Sequence, residues 1–250
     1  MDILLIGAGN MGMAILSGLV SKNHNISVVE LNRTQREKLS KLYPDIDIYS
    51  STPRVDDKVV ILAIKPQSLP VFECNGQAIA VISILAGTPI DSIKEKIEAK
   101  YYIRAMPNIA ALYNKSVTSV TGDMEFKDEA MDIISSIGKA IWLDSEKHLD
   151  IATGLGGSSP AWLSMVAEAL SDGAVNLGLP RDKSMEYLSA LFDGMGALLN
   201  EHPAIIKDRV MSPGGTTAAG YQILEKDGIR GSFIDAMEAC YNRSQELGKK

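Results

Sequence analysis

The sequence predicts an α/β fold in two parts: a doubly wound, mostly parallel sheet in the first half and an all-helical second half. Three observations carry this. Short apolar runs alternate with helical patterns from Ile3 to Leu143, as strands and crossover helices do in a parallel sheet. A glycine string, Gly7-Ala8-Gly9-Asn10-Met11-Gly12, sits at the first strand-to-helix junction. From Leu149 onward no strand pattern survives, and apolar residues recur at helical spacing. Asp144-Ser145-Glu146 marks the expected boundary, giving a sheet domain over 1–145 and a helical domain over 146–250.

Ile3-Leu4-Leu5-Ile6 is a continuous apolar run, as a strand buried on both faces requires. It leads through the glycine string into a helical pattern at Met13, Ile15, Leu16 and Leu19. Glycines placed so make a tight turn, let a pyrophosphate approach the backbone and let helix and strand pack closely, which reads as a Rossmann-type dinucleotide-binding unit. The second strand, Ile26 to Val29, ends at Glu30-Leu31-Asn32-Arg33-Thr34. Two readings compete there. Glu30 suits the ribose 2′-hydroxyl of NAD, whereas Asn32, Arg33 and Thr34 suit the 2′-phosphate of NADP. The basic and hydroxyl groups just past the strand favour NADP.

Val59 to Ile64 is the next strand, ending in Ala63-Ile64-Lys65-Pro66. Ligands of such sheets bind beyond the carboxyl ends of the strands, so Lys65 is either a ligand-facing residue or a solvated surface lysine. Ile79 to Leu85 closes on Ala86-Gly87, small enough for a flat nicotinamide to lie close. Tyr101 to Ala105 runs into Met106-Pro107-Asn108 at the same edge, and strands at Ser116–Thr121 and Lys139–Leu143 flank a helix from Lys127 to Ser136.

In the second half, Ala152 to Pro160 is rich in small residues and precedes a long helix from about Ala161 to Leu177. That helix is apolar nearly all round, with Glu168 and Asp172 as its main charges, which predicts burial on every side. Helices follow at Lys183–Asn200, Pro203–Val210 and Gly231–Leu247. So much apolar helix surface is hard to cover within one chain, and a large interface with a second copy is expected. Between two of these helices lies Met211-Ser212-Pro213-Gly214-Gly215-Thr216-Thr217. Its glycines let a backbone approach a ligand, and the amides opening the next helix have no partner inside it. Such an end is either an ordinary turn with an N-cap or a seat for an anion such as a carboxylate.

Composition narrows the field. A formal net charge of −6 argues against a duplex-binding surface. Cys74 and Cys240 are too few for a disulfide framework, and His24, His148 and His202 are scattered, so no metal site is expected. The chain opens on an acidic residue and a strand rather than a basic signal, and no run is long enough to cross a bilayer, which points to the cytoplasm.

The glycine string, Ala63-Ile64-Lys65-Pro66, Met106-Pro107-Asn108, Ala152 to Ala161 and Ser212-Pro213-Gly214-Gly215-Thr216-Thr217 occur here in one order. Together they closely resemble the pyrroline-5-carboxylate reductases, which make proline. The resemblance spans nearly the whole chain, and the Ser-Pro-Gly-Gly-Thr-Thr string is its most specific part. It implies an N-terminal Rossmann domain, an all-α C-terminal dimerisation domain, and hydride transfer from NADPH or NADH to the imine carbon of 1-pyrroline-5-carboxylate. It further implies cofactor contacts at Ile6, Gly7, Ala8, Gly9, Asn10, Met11, Asn32, Arg33, Ala63, Ile64, Lys65, Pro66 and Ala86. The substrate carboxylate falls to Gly215, Thr216 and Thr217, with Ser212 nearby and Glu146 on the ring-nitrogen side. Thr217, as a hydrogen-bonding partner of the ring nitrogen, and Lys65 are the catalytic candidates. The implied assembly is a homodimer through the helical half, often assembled further.

Departures from the pattern include Gly156 and Ser159, which stand where the family usually has Ser and Gly. Trp162 replaces Tyr or Phe, Ile109-Ala110 replaces Thr-Pro, and Tyr221 replaces a branched aliphatic residue. Two other classes remain in view. A β-hydroxyacid dehydrogenase would need a lysine acid from the helical half, for which Lys183 and Lys207 are the candidates. A nucleotide-sensing protein would keep the dinucleotide fold, yet it has no need of a second anion seat at Ser212 to Thr217.

Overall fold

The computed structural model describes residues 1–22 and 24–248. They form two compact units: Met1–Ser159 together with the chain from Ala239 on, and Pro160–Glu238.

In the first unit β1 (Asp2–Ile6) is followed by α1 (Asn10–Val20), β2 (Asn25–Val29), α2 (Arg33–Leu42), β3 (Asp47–Tyr49) and β4 (Val59–Leu62). Then come β5 (Gln77–Ser83), α3 (Ile90–Lys94), β6 (Glu98–Met106), β7 (Ser116–Gly122), α4 (Lys127–Ile134), β8 (Gly138–Trp142) and α5 (Glu146–Ala152). A π-helical turn, Thr153–Ser158, follows α5. The eight strands form one sheet in the order β3-β2-β1-β4-β5-β6-β7-β8. Every pairing is parallel except β6 with β7. The link between those two holds only a short 3-10 turn, Ile109–Tyr113, and a parallel crossover needs a longer one.

The central strands are apolar throughout because both faces of the sheet are covered. Ile3 and Leu5 of β1 pack with Ala14, Ile15, Leu16 and Leu19 of α1 and with Ala130, Ile133 and Ile134 of α4. Leu4 and Ile6, pointing the other way, join Val60, Leu62, Leu69, Ile93 and Ile97. By contrast α2, with sequence RTQREKLSKL, buries only Leu39 and lies on the surface.

The strands and helices expected from periodicity are present, with shifts of about two residues at their ends. β5 begins at Gln77 rather than Ile79, and α4 stops at Ile134 before a 3-10 turn through Ser135–Ile137. β3 was not expected. Its three residues, Asp-Ile-Tyr, are too few to show an alternation, and it exists because β2 offers it an edge.

His24, just before β2, has a side chain only 10% exposed, and neither ring nitrogen finds a hydrogen-bond partner among the described residues. Burial, then the N-terminal ammonium and Lys22, push its pKa below the ordinary value of 6.5, against the opposing pull of Asp132. The unfolded chain therefore binds the His24 proton more readily. Stability is complete above that ordinary value and declines as the pH falls through it. Thermal midpoints measured at pH 7.5 and 5.5 are expected to fall more for the wild type than for His24→Asn; equal losses would remove His24 from the pH response.

The second unit is helical. α6 (Ser159–Asn176), α7 (Arg181–Leu198), α8 (Pro203–Val210), α9 (Thr216–Lys226) and α10 (Ile229–Gly248) complete the chain, with α10 returning to the first unit from Ala239. α6 is not buried on every side within one chain. Leu163, Met165 and Leu170 are 47%, 57% and 52% exposed, and Ser171 is its one buried residue. Glu168 and Asp172 are exposed as well, Asp172 pairing with Arg181 at 2.6 Å. The apolar surface predicted from its sequence is present, and among the described residues nothing covers it.

Candidate active site

Strand order reverses on either side of β1, since β2 lies on one flank and β4 on the other. A crevice opens at such a switch point, beyond the carboxyl ends of the strands. The glycine string leaves β1 here. Gly7 has φ +98, a conformation that favours glycine, and a Cβ on it would come within 2.7 Å of the Ala63 carbonyl oxygen. A Cβ on Gly12 would overlap the Gly7 carbonyl oxygen. Gly9 caps α1 with no side-chain bond, and a Cβ added there meets nothing within 4 Å. Two glycines are thus demanded by packing. The third faces open space at a helix N-terminus, where a diphosphate is favoured.

Ala63, Ile64, Lys65 and Pro66 leave β4 beside this loop. The Ala63 amide bonds to the Ile6 carbonyl, and Gly7 lies against Ala63 and Ile64. Lys65 is exposed and caps a 3-10 turn, Pro66–Val71. Ala86 follows β5, the next strand along the same edge. On the other flank, Asn32 caps α2, its Oδ1 accepting from the Gln35 amide at 3.1 Å. Arg33 is exposed and pairs with Glu37 at 2.9 Å. The cofactor residues expected from the sequence thus gather along the carboxyl edges of β2, β1, β4 and β5. A dinucleotide laid there would have its ribose end at β2 and its nicotinamide end at β5, and the open seat at Gly9 suits its diphosphate.

Glu146 opens α5, and its Oε1 accepts from Arg104 at 2.7 Å and from the Ile90 amide at 2.9 Å. Arg104, only 4% exposed on β6, also reaches Asp150 at 3.1 Å. Asp150 in turn accepts from Gln245 at 2.8 Å and Ser244 at 3.3 Å. This cluster around the buried Arg104 was missed from the sequence, although an arginine in the otherwise uncharged run Tyr101 to Ala105 was its visible signal. Asn108 follows β6 and caps the 3-10 turn Ile109–Tyr113. Its Nδ2 donates to the Gly156 carbonyl of the π-helical turn at 2.9 Å, and its Oδ1 accepts from the Ala110 amide at 3.0 Å.

In the second unit, Ser212-Pro213-Gly214-Gly215 forms a tight turn, closed by the Gly215 amide on the Ser212 carbonyl at 3.0 Å. Gly214 has φ +69, and Pro followed by a positive-φ Gly makes this a type II turn. Gly215 then caps α9 without a side-chain bond. The first intrahelical bond runs from Ala219 to the Gly215 carbonyl, so the amides of Thr216, Thr217 and Ala218 are left over. With the exposed hydroxyls of Ser212, Thr216 and Thr217 they gather hydrogen-bond donors at a helix N-terminus, an arrangement that favours an anion. The lysines needed by a hydroxyacid dehydrogenase are tied up at the surface, Lys183 with Glu186 at 2.8 Å and Lys207 with Asp208 at 2.7 Å.

A dinucleotide edge on a doubly wound sheet, followed by a helical region, defines a Rossmann-type dinucleotide-binding protein. Residues 2–87 match the family model "NADP oxidoreductase coenzyme F420-dependent", and residues 146–247 match "Pyrroline-5-carboxylate reductase dimerisation". The pyrroline-5-carboxylate reductase of Synechocystis sp. is 37% identical, over 98% of this chain and 98% of that protein. The one from Corynebacterium melassecola is 34% identical, over 99% and 98%. A solved 1-pyrroline-5-carboxylate reductase from Streptococcus pyogenes superposes with a TM-score of 0.86 at 26% identity, covering 98% of each chain. The chain belongs to the pyrroline-5-carboxylate reductase family.

Proposed function

We propose that this chain reduces the C=N bond of 1-pyrroline-5-carboxylate with NADPH, or with NADH, and releases L-proline. The observation that carries this reading is the uncapped start of α9 behind a Pro-Gly turn, in a chain that also bears a dinucleotide edge. A carboxylate substrate needs such a seat, and a nucleotide sensor does not.

The bound reduced nicotinamide supplies the hydride. Asn10 and Met11 open α1 at the diphosphate seat, with Ile6 to Gly9 before them, while Ala63 to Pro66 and Ala86 line the way to the nicotinamide end. Asn32 and Arg33, at the N-terminus of α2, receive the 2′-phosphate, supported by the absence of acidic residues in that first turn. Gly215, Thr216 and Thr217, with Ser212, hold the substrate carboxylate. An imine accepts hydride best when protonated, so the protein's main task is to hold an iminium in line, and orientation supplies much of the catalysis. Thr217 hydrogen-bonds the ring nitrogen. Glu146 spends Oε1 on Arg104 and Ile90, which leaves Oε2 for the cationic side of the ring. Lys65 is the second catalytic candidate, an exposed residue next in the chain to Ile64, which lies against Gly7.

The exposed apolar face of α6 supports a homodimer built through the helical half. A cytoplasmic location is supported by two free cysteines, and among the described residues no helix is long and apolar enough to cross a membrane.

The test is optical: NADPH oxidation on adding 1-pyrroline-5-carboxylate, repeated with NADH. Rapid oxidation is expected, with the higher kcat/KM for NADPH, and no oxidation with either cofactor would reject the reading. Thr217→Ala is expected to lower kcat about tenfold, the worth of one hydrogen bond in the transition state, with the NADPH Kd unaltered. An unchanged kcat would take Thr217 out of the mechanism.

A further inference from the structure

In a dinucleotide fold, the acidic residue closing the second strand serves the ribose hydroxyls. Here that residue, Glu30, is engaged within the protein through both oxygens. Oε2 accepts the Ala8 amide at 3.0 Å, and Oε1 accepts the Asn32 amide at 2.7 Å. The other side of Ala8 is held as well, since its carbonyl accepts from Gln35 Nε2 at 3.0 Å. Gln35 is fixed in turn, its own amide being the one that Asn32 caps. Arg36 Nη1 closes the turn on the carbonyls of Glu30 and Leu31 at 2.9 and 2.7 Å. Ala8 itself is fully buried.

We propose that Glu30 and Gln35 form a clamp on Ala8, positioning residues that set the glycine loop for the diphosphate, and that Glu30 does not choose between the two cofactors. The physical reason lies in the loop. The Gly7 amide is taken by the Val29 carbonyl and the Ala8 amide by Glu30. The amides that can meet an anion therefore begin at Gly9, which carries no side chain that could hold them, and ordering them on binding costs entropy. A loop ordered beforehand avoids that cost. Bonds from backbone amides to a carboxylate are among the stronger ones, so Glu30 is well suited to the task. Choice of the 2′-phosphate then passes to Asn32, Arg33 and the start of α2.

This rests on the dinucleotide reading of the glycine loop, and the experiment separates the two. Kd values for NADPH and NADH are measured by fluorescence titration on the full-length wild type, Glu30→Gln and Gln35→Ala, alongside amide hydrogen exchange across the glycine loop. Each variant is expected to weaken both cofactors by a similar factor, about tenfold, and to speed exchange in the loop. Gln35→Ala is the decisive arm, because the Gln35 side chain bonds the loop at Ala8 and is not among the groups assigned to the 2′-phosphate. The clamp is overturned if Glu30→Gln changes the NADPH-to-NADH ratio about tenfold, as a ribose reader would. It is equally overturned if Gln35→Ala leaves both affinities and the exchange unchanged. A wild type that binds neither cofactor overturns the dinucleotide reading, and the clamp with it.

Discussion

Gly12→Ala is expected to abolish useful NADPH binding, raising the Kd about a hundredfold, and to lower the thermal midpoint as well. The new Cβ would overlap the Gly7 carbonyl oxygen and meet the Ala63 Cβ at 3.6 Å, so α1 or the loop must move. Overpacking of this kind costs about 1–3 kcal/mol, and its upper end corresponds to the expected loss of affinity. Gly9→Ala is the informative companion. Its backbone is extended, at φ −68 and ψ −172, and its Cβ would meet no protein atom within 4 Å. It should keep the wild-type midpoint and still bind NADPH poorly, because the methyl group fills the space reserved for the diphosphate. Titration and a melting curve on both variants check this. Wild-type affinity in Gly9→Ala would mean that the diphosphate lies elsewhere.

Arg104→Met carries the largest expected loss of stability. The guanidinium is 4% exposed and pairs with two carboxylates, Glu146 and Asp150, from α5. Removing one partner of a buried ion pair costs about 3–5 kcal/mol because the remaining charge is left uncompensated. Glu146 is 36% exposed and partly hydrated, which favours the lower end of that range. A loss of about 3 kcal/mol would lower the midpoint by about 6–12 °C in a chain of this size. Adding Asp150→Asn to Arg104→Met should recover part of the loss, since it removes one orphaned charge. A single variant as stable as the wild type would show that the cluster contributes nothing, and a double variant worse than the single would show that the bonds Asp150 accepts from Ser244 and Gln245 outweigh the relief of its orphaned charge.

Much of the fold was legible because its signals are local. Apolar runs such as Ile3 to Ile6 announce strands covered on both faces, and a glycine string between strand and helix announces the loop. β3 escaped because three residues carry no period, and its pairing with β2 is what makes it a strand. α6 shows the converse. Its pattern correctly reported an apolar surface, but a pattern cannot say whether the covering atoms belong to the same chain. At the candidate site, residues next to a glycine or at a strand end could be named from sequence. Gln35 could not, because its bond to Ala8 crosses from a surface helix to a loop 27 residues away.

By itself, then, the sequence determined the alternation of strands and helices, the glycine loop, the Pro-Gly turn before α9 and the family resemblance. Each of these depends on neighbours in the chain. Only the tertiary structure decided that β1 lies between β2 and β4, that Glu30 turns its carboxylate to Ala8, and that Arg104 serves Glu146 and Asp150. Those outcomes depend on which distant groups compete for the same hydrogen bonds once water is excluded, and spacing along the chain carries no record of that competition.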